Sequence, residues 1–108
     1  AAFNKTAEID KSNFNAFNSM GQIHLAQENY SQAFRMFNRA VALKPDNYNA
    51  LYNLAISYEH ENQDKVDQVL RYWNNFLKVA KNNPKAQKLI PQTEEHIKEL
   101  QALKESGQ

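Results

Sequence analysis

The chain has 108 residues, 13 basic and 12 acidic side chains and a formal net charge of +1, with no cysteine, two glycines and three prolines. That length suits one domain with a modest core, and the balanced charge supplies no global attraction to nucleic acid or to an anionic membrane. The lack of cysteine excludes disulfide scaffolds, thiolate metal sites and cysteine nucleophiles, and no apolar run is long enough to span a bilayer. Few β-branched residues and abundant Ala, Leu, Gln, Lys and Glu predict helix almost throughout. The chain opens with Ala1, Ala2 and Phe3, without Met or a leader pattern, which predicts a processed form or a piece excised from a longer protein. The compartment is not legible.

The first predicted helix covers 14–26, where Phe14, Phe17, Met20, His24 and Leu25 follow three- and four-residue steps. Ser12 or Asn13 is its expected cap. Gly21 lies inside it at a cost of about 1 kcal/mol relative to Ala, which predicts the close approach of another backbone. The polar Gln27, Glu28 and Asn29 break the pattern. It resumes over 30–43 through Ala33, Phe34, Phe37, Ala40 and Val41, and Pro45 forbids continuation. A third helix is expected over 48–60, capped by Asp46 or Asn47. A fourth is expected over 64–81, where Val66, Val69, Leu70, Trp73, Phe76, Leu77 and Ala80 form a stripe closed by Pro84. In the tail, Pro91 suits a first helical position and Ile97, Leu100 and Leu103 share one side.

Two segments of this chain repeat one another. Laid over each other at a spacing of 34 residues, 3–24 and 37–58 share Phe3/Phe37, Asn4/Asn38, Asn13/Asn47, Asn15/Asn49 and Ala16/Ala50 without a gap. They match in kind at Lys5/Arg39, Ile9/Leu43, Phe14/Tyr48, Phe17/Leu51 and Met20/Leu54. Helix–turn–helix units at that interval resemble the tetratricopeptide repeat family. Its pattern of a large apolar residue, Leu, Gly and Tyr, then Ala, Phe, Ala and Pro, is met by Phe17, Met20, Gly21, His24, Ala33, Phe37, Ala40 and Pro45. The second repeat reads Leu51, Leu54, Ala55 and Tyr58, then Tyr72, Phe76, Val79 and Pro84, with five extra residues between Tyr58 and Tyr72. At 1.5 Å per residue the insertion is expected to lengthen the second helix of that repeat by roughly 7 Å.

The resemblance implies an all-α fold, a right-handed solenoid of antiparallel helix pairs forming one domain over 1–108. Residues 1–11 would be the second helix of a truncated preceding repeat, 14–47 and 48–84 two full repeats, and 85–106 a C-terminal capping helix. Each repeat has only a stripe to bury, and stacking repeats makes a continuous core with one concave face. Family members mostly bind other proteins, so the expected function is a non-catalytic interaction module that takes a partner peptide or helix in the concave groove.

In the family the first helix of each repeat lines that groove. The positions left over from the core are Asn15, Asn18 and Gln22 on the first such helix, and Asn49, Tyr52, Asn53, Ile56 and Glu59 on the second. Side-chain amides both donate and accept, so two rows of them suit the main chain of an extended peptide, with Tyr52 and Ile56 for apolar contact. Some members clamp a terminal carboxylate with Lys, Asn, Asn, Lys and Arg. The matching positions here are Asn18, Gln22, Asn53, Lys88 and Gln92, of which only Asn53 and Lys88 keep the type. Without the cationic fork such a clamp is not expected.

Other features receive plain structural readings. Lys78, Lys81, Lys85 and Lys88 cluster near a helix end, where cations meet the negative end of the helix dipole. Without arginines or interleaved aromatics they do not predict a nucleic-acid surface. His24, His60 and His96 lie 36 residues apart on different helices and are not expected to converge on a metal; His24 takes the family's Tyr slot and is expected to pack with one ring nitrogen satisfied. Trp73 reads as core, and Tyr72 as half exposed. No nucleophile elbow, phosphate-binding glycine loop or zinc-ligand pair occurs, so no enzyme activity and no cofactor are expected. The expected partner is another protein or peptide, with no nucleic acid and no membrane insertion. The alternative is a homo-oligomer formed through the truncated N-terminal face, where Phe3 and Ile9 would lack their covering helix.

Overall fold

The computed structural model describes residues 13–106. Five α-helices follow one another: α1 (Phe14–Ala26), α2 (Tyr30–Leu43), α3 (Tyr48–Glu61), α4 (Val66–Ala80) and α5 (Ile90–Glu105), with a 3-10 helix at Pro84–Leu89 between the last two. No strand occurs among the described residues. The expected half-repeat at 1–11, including Phe3 and Ile9, lies outside them.

Local chemistry sets the helix ends. At the end of α1 the Asn29 N–H reaches the His24 carbonyl at 2.8 Å and the Glu28 N–H reaches Leu25 at 3.0 Å. Those two bonds are the Schellman pattern, and Glu28 holds its left-handed position with φ 62. Asn47 is the cap of α3, its side-chain oxygen accepting from the Ala50 N–H at 3.0 Å. After α4, Asn83 accepts from the Lys85 N–H at 2.9 Å, and the Gln87 amide donates to the carbonyls of Ala80 at 3.1 Å and Asn83 at 2.8 Å. This chemistry stabilises an extra 3-10 turn before α5 begins, with Pro91 in its first turn.

Each helix packs on the next in sequence, and α1 also touches α3, giving a body of 48 × 30 × 19 Å. Phe14, Phe17, Ala40 and Ala50 form one buried group, and Ala33, Phe37 and Leu54 a second. The largest joins Leu51, Ala55, Val69, Trp73, Phe76, Leu77 and Ala80 to Ile97 and Leu100 of α5. The fold is therefore a helical repeat solenoid in which neighbouring elements supply one another's cores. What comes close to Gly21 is a ring and not a backbone: a Cβ there would stand 2.6 Å from Cε1 of Phe37.

The insertion is placed differently from the expectation. Helix α4 has 15 residues against 14 in α2, so it is not lengthened by the expected five residues. Measured from the helix starts, Val69, Trp73 and Phe76 stand where Ala33, Phe37 and Ala40 stand, and all six are buried. Tyr72 and Val79 are only half-buried. The core register thus shifts by two residues between Tyr58 and Val69, one in α3 and one in the loop, and the remaining added residues before Pro84 are one in α4 and two in the connection that follows it. Residues 85–106, expected as one helix, are correspondingly two elements, the 3-10 helix and α5.

Candidate functional site

Helix α3 carries the five groove residues expected from the second repeat. Asn49 is exposed and accepts a hydrogen bond from the Asn53 amide at 3.2 Å, one turn further on. Tyr52 is half-buried, edge-on to Trp73 with centroids 5.5 Å apart and tilted against Phe76 at 5.2 Å. Tyr52 therefore belongs partly to the core. Ile56 is half-buried one turn beyond Tyr52.

Glu59 is the junction of three helices. Its carboxylate accepts from the Trp73 indole N–H of α4 at 2.8 Å and pairs with Nε2 of His96 on α5 at 2.8 and 3.0 Å. Trp73 also meets the His96 ring edge-on at 5.4 Å. These contacts fix the Glu59 rotamer and tie α3 to both later helices.

Beside this junction lies an open cavity of about 450 Å³ bordered by Tyr52, Ile56 and Glu59 of α3. Its other walls are Trp73, three residues of α5 (Gln92, Thr93 and His96), His60 in the last turn of α3 and Gln63 in the turn that follows. Thr93 is 2% exposed and its hydroxyl has no hydrogen-bond partner among the described residues.

The structure thus joins three of the eight expected groove residues to one cavity and places Asn49 and Asn53 in a mutual hydrogen bond. Asn15, Asn18 and Gln22 on α1 do not border it. Asn15 and Gln22 are exposed, while the Asn18 side-chain oxygen is buried without a partner among the described residues. Of the clamp positions, Gln92 reaches the cavity, whereas Lys88 lies on the 3-10 helix, exposed. The sequence missed His96 and Thr93 as site residues. The one available signal was their spacing on the buried side of α5 beside Ile97 and Leu100.

The histidines go to three separate places. His60 stacks on Tyr30 at 4.3 Å with nearly parallel rings, His96 holds Glu59, and His24 keeps a buried Nδ1 with no partner among the described residues. The expectation of a satisfied ring nitrogen at His24 is thus not met at Nδ1. Lys81 approaches Glu94 at 3.7 Å, and the other three lysines of the basic cluster are exposed. Burial, and then the neighbouring Tyr58, raise the pKa of Tyr72 above its ordinary value of 10.0. No helix among the described residues is long and apolar enough to cross a membrane.

A family model described as tetratricopeptide repeat matches residues 24–65, from the last turn of α1 through α2 and α3 to the turn before α4. Over those residues the chain is similar to the tetratricopeptide repeat family. Its likeness to a solution structure of a tetratricopeptide repeat domain protein from Salinibacter ruber covers 87% of this chain and 92% of that one, with a TM-score of 0.68 and 23% identity. That likeness carries the fold. Sperm-associated antigen 1 of Homo sapiens is 28% identical over 91 residues, which is 84% of this chain. The Mus musculus protein of the same name is 28% identical over 92 residues. The chain spans 10% of the length of each of those two relatives. The tetratricopeptide fold is in general a protein–protein interaction module.

Proposed function

We propose that this chain is a non-catalytic interaction module that binds a peptide or helix of a partner protein in the groove running along α1, α3 and α5. The observation that carries the reading is the cavity of about 450 Å³ bordered by Tyr52, Ile56 and Glu59, three groove residues on successive turns of α3. A concave site with aromatic and aliphatic walls and a few oriented polar groups is the usual form of a recognition pocket. The adjacent Asn49 and Asn53 amides offer donors and acceptors to a main chain. The alternative of self-assembly through the N-terminal face rests on Phe3 and Ile9, which lie outside the described residues.

The test is affinity capture with the intact chain, comparing wild type with Asn49→Ala/Asn53→Ala/Ile56→Ala. These side chains are exposed or half-buried, whereas truncating Tyr52 would also open the Trp73 and Phe76 core. The expected result is a partner retained at least tenfold less by the variant while its circular dichroism is unchanged. Undiminished capture of the same partner would move the site off this groove.

A further inference from the structure

We propose that the cavity between α3 and α5 takes the guanidinium of an arginine side chain presented by the partner. The proposal rests on the groove reading above and names the chemistry of its occupant.

Charge makes the first argument. Glu59 is the one Asp or Glu around the cavity, and no Lys or Arg borders it. A carboxylate has about four acceptor positions, and the Trp73 indole and His96 ring together occupy only part of them. The Glu59 side chain is 21% exposed, so acceptor capacity remains open to the groove. Because the two donors hold the carboxylate in place, a guest finds it already oriented, which lowers the entropy cost of binding.

The surroundings then select among cations. Tyr52 and Trp73 give the cavity an aromatic wall, on which a planar guanidinium stacks and a strongly hydrated ammonium does so less well. Gln92, exposed on the cavity wall, supplies a further side-chain acceptor. Arginine carries five N–H donors in a fixed fork and no acceptor, matching a wall of acceptors. A guest carboxylate would instead face Glu59 with like charge.

Trp73 is the chain's single tryptophan, so its fluorescence reports the cavity directly. The probes are capped pentapeptides of sequence Ala-Ala-Arg-Ala-Ala and twins carrying citrulline, lysine or glutamate in the centre. Citrulline keeps the shape of arginine and removes its charge. The arginine peptide is expected to bind at least tenfold more tightly than the citrulline peptide, the scale of a charge-assisted hydrogen bond, and Glu59→Gln should shrink that ratio to within twofold. Arginine and citrulline peptides binding within twofold of each other, a glutamate peptide binding more tightly than arginine, or no saturable signal from the arginine peptide up to about 10 mM would each overturn the proposal. A tenfold preference that survives in folded Glu59→Gln would also overturn it. If Glu59→Gln fails to fold, the wild-type comparison decides alone. Loss of partner capture in Asn49→Ala/Asn53→Ala/Ile56→Ala without any arginine preference would leave the groove standing and remove only this occupant.

Discussion

A methyl group added at Gly21 would stand 2.6 to 2.8 Å from three atoms of the Phe37 ring. Phe37 is 0% exposed, so the ring has no open space into which to withdraw. Two effects oppose each other in Gly21→Ala. Helix propensity favours alanine by about 1 kcal/mol, and overpacking a filled core costs typically 1–3 kcal/mol. The clash is the larger because it meets a rigid ring at three atoms, so a net loss of about 1–2 kcal/mol is expected. Urea unfolding followed by circular dichroism measures it, and an unchanged or raised midpoint would show that the ring yields. The sequence marked Gly21 as a close approach, and the agent of that approach, Phe37 sixteen residues later, became visible only when α1 and α2 were packed together.

At the scale of the element, helix boundaries are local events and the sequence located most of them. Pro45 stops α2, and the polar turn at Gln27–Asn29 separates α1 from α2. The Schellman end of α1 carries Glu28 at φ 62, a conformation that side chains with a Cβ resist and glycine accepts. Glu28→Gly is therefore expected to raise stability by about 0.5 kcal/mol, the relief of the left-handed strain reduced by the greater entropy of an unfolded glycine. The check is a higher urea midpoint with an unchanged m-value. The register of α4 was less legible. Val69, Trp73 and Phe76 follow steps of four and three, and so do Tyr72, Phe76 and Val79. Periodicity named the first stripe while the family spacing put Tyr72, Phe76 and Val79 at the core positions, and packing against α3 and α5 bears out the first. The 3-10 turn at Pro84–Leu89 was hidden because Pro84 announces only that α4 has stopped.

For the whole molecule, the stack is held by contacts between sequence neighbours, so its ends decide how much core is exposed. Helix α5 brings Ile97 and Leu100, each 6% exposed, onto the group containing Trp73, Phe76 and Leu77. In the two repeats the matching small residue is Gly21 or Ala55, counted from the helix start, but α5 carries Ile97 there. A large side chain at that place fills the space under α5 itself. Ending the chain after Asn83 uncovers this face. Burying two such side chains is worth about 1.5–3 kcal/mol each, so the shortened chain is expected to lose at least about 3 kcal/mol and to show red-shifted Trp73 emission. Unchanged emission and an unchanged unfolding midpoint would show that α5 contributes nothing to the core.

The sequence by itself determined the all-helical class, the 34-residue repeat, four of the helices nearly to their ends and the face of α3 that carries Tyr52, Ile56 and Glu59. These follow from proline, caps and a three-to-four-residue period, all of which act within a few turns of one chain segment. The tertiary structure alone decided where the added residues of the second repeat lie, the ring seated on Gly21 and the meeting of Glu59 with Trp73 and His96, which are 14 and 37 residues away. Such partners are chosen by the fit of whole helix faces, where side-chain volume and distance in space matter and separation along the chain does not.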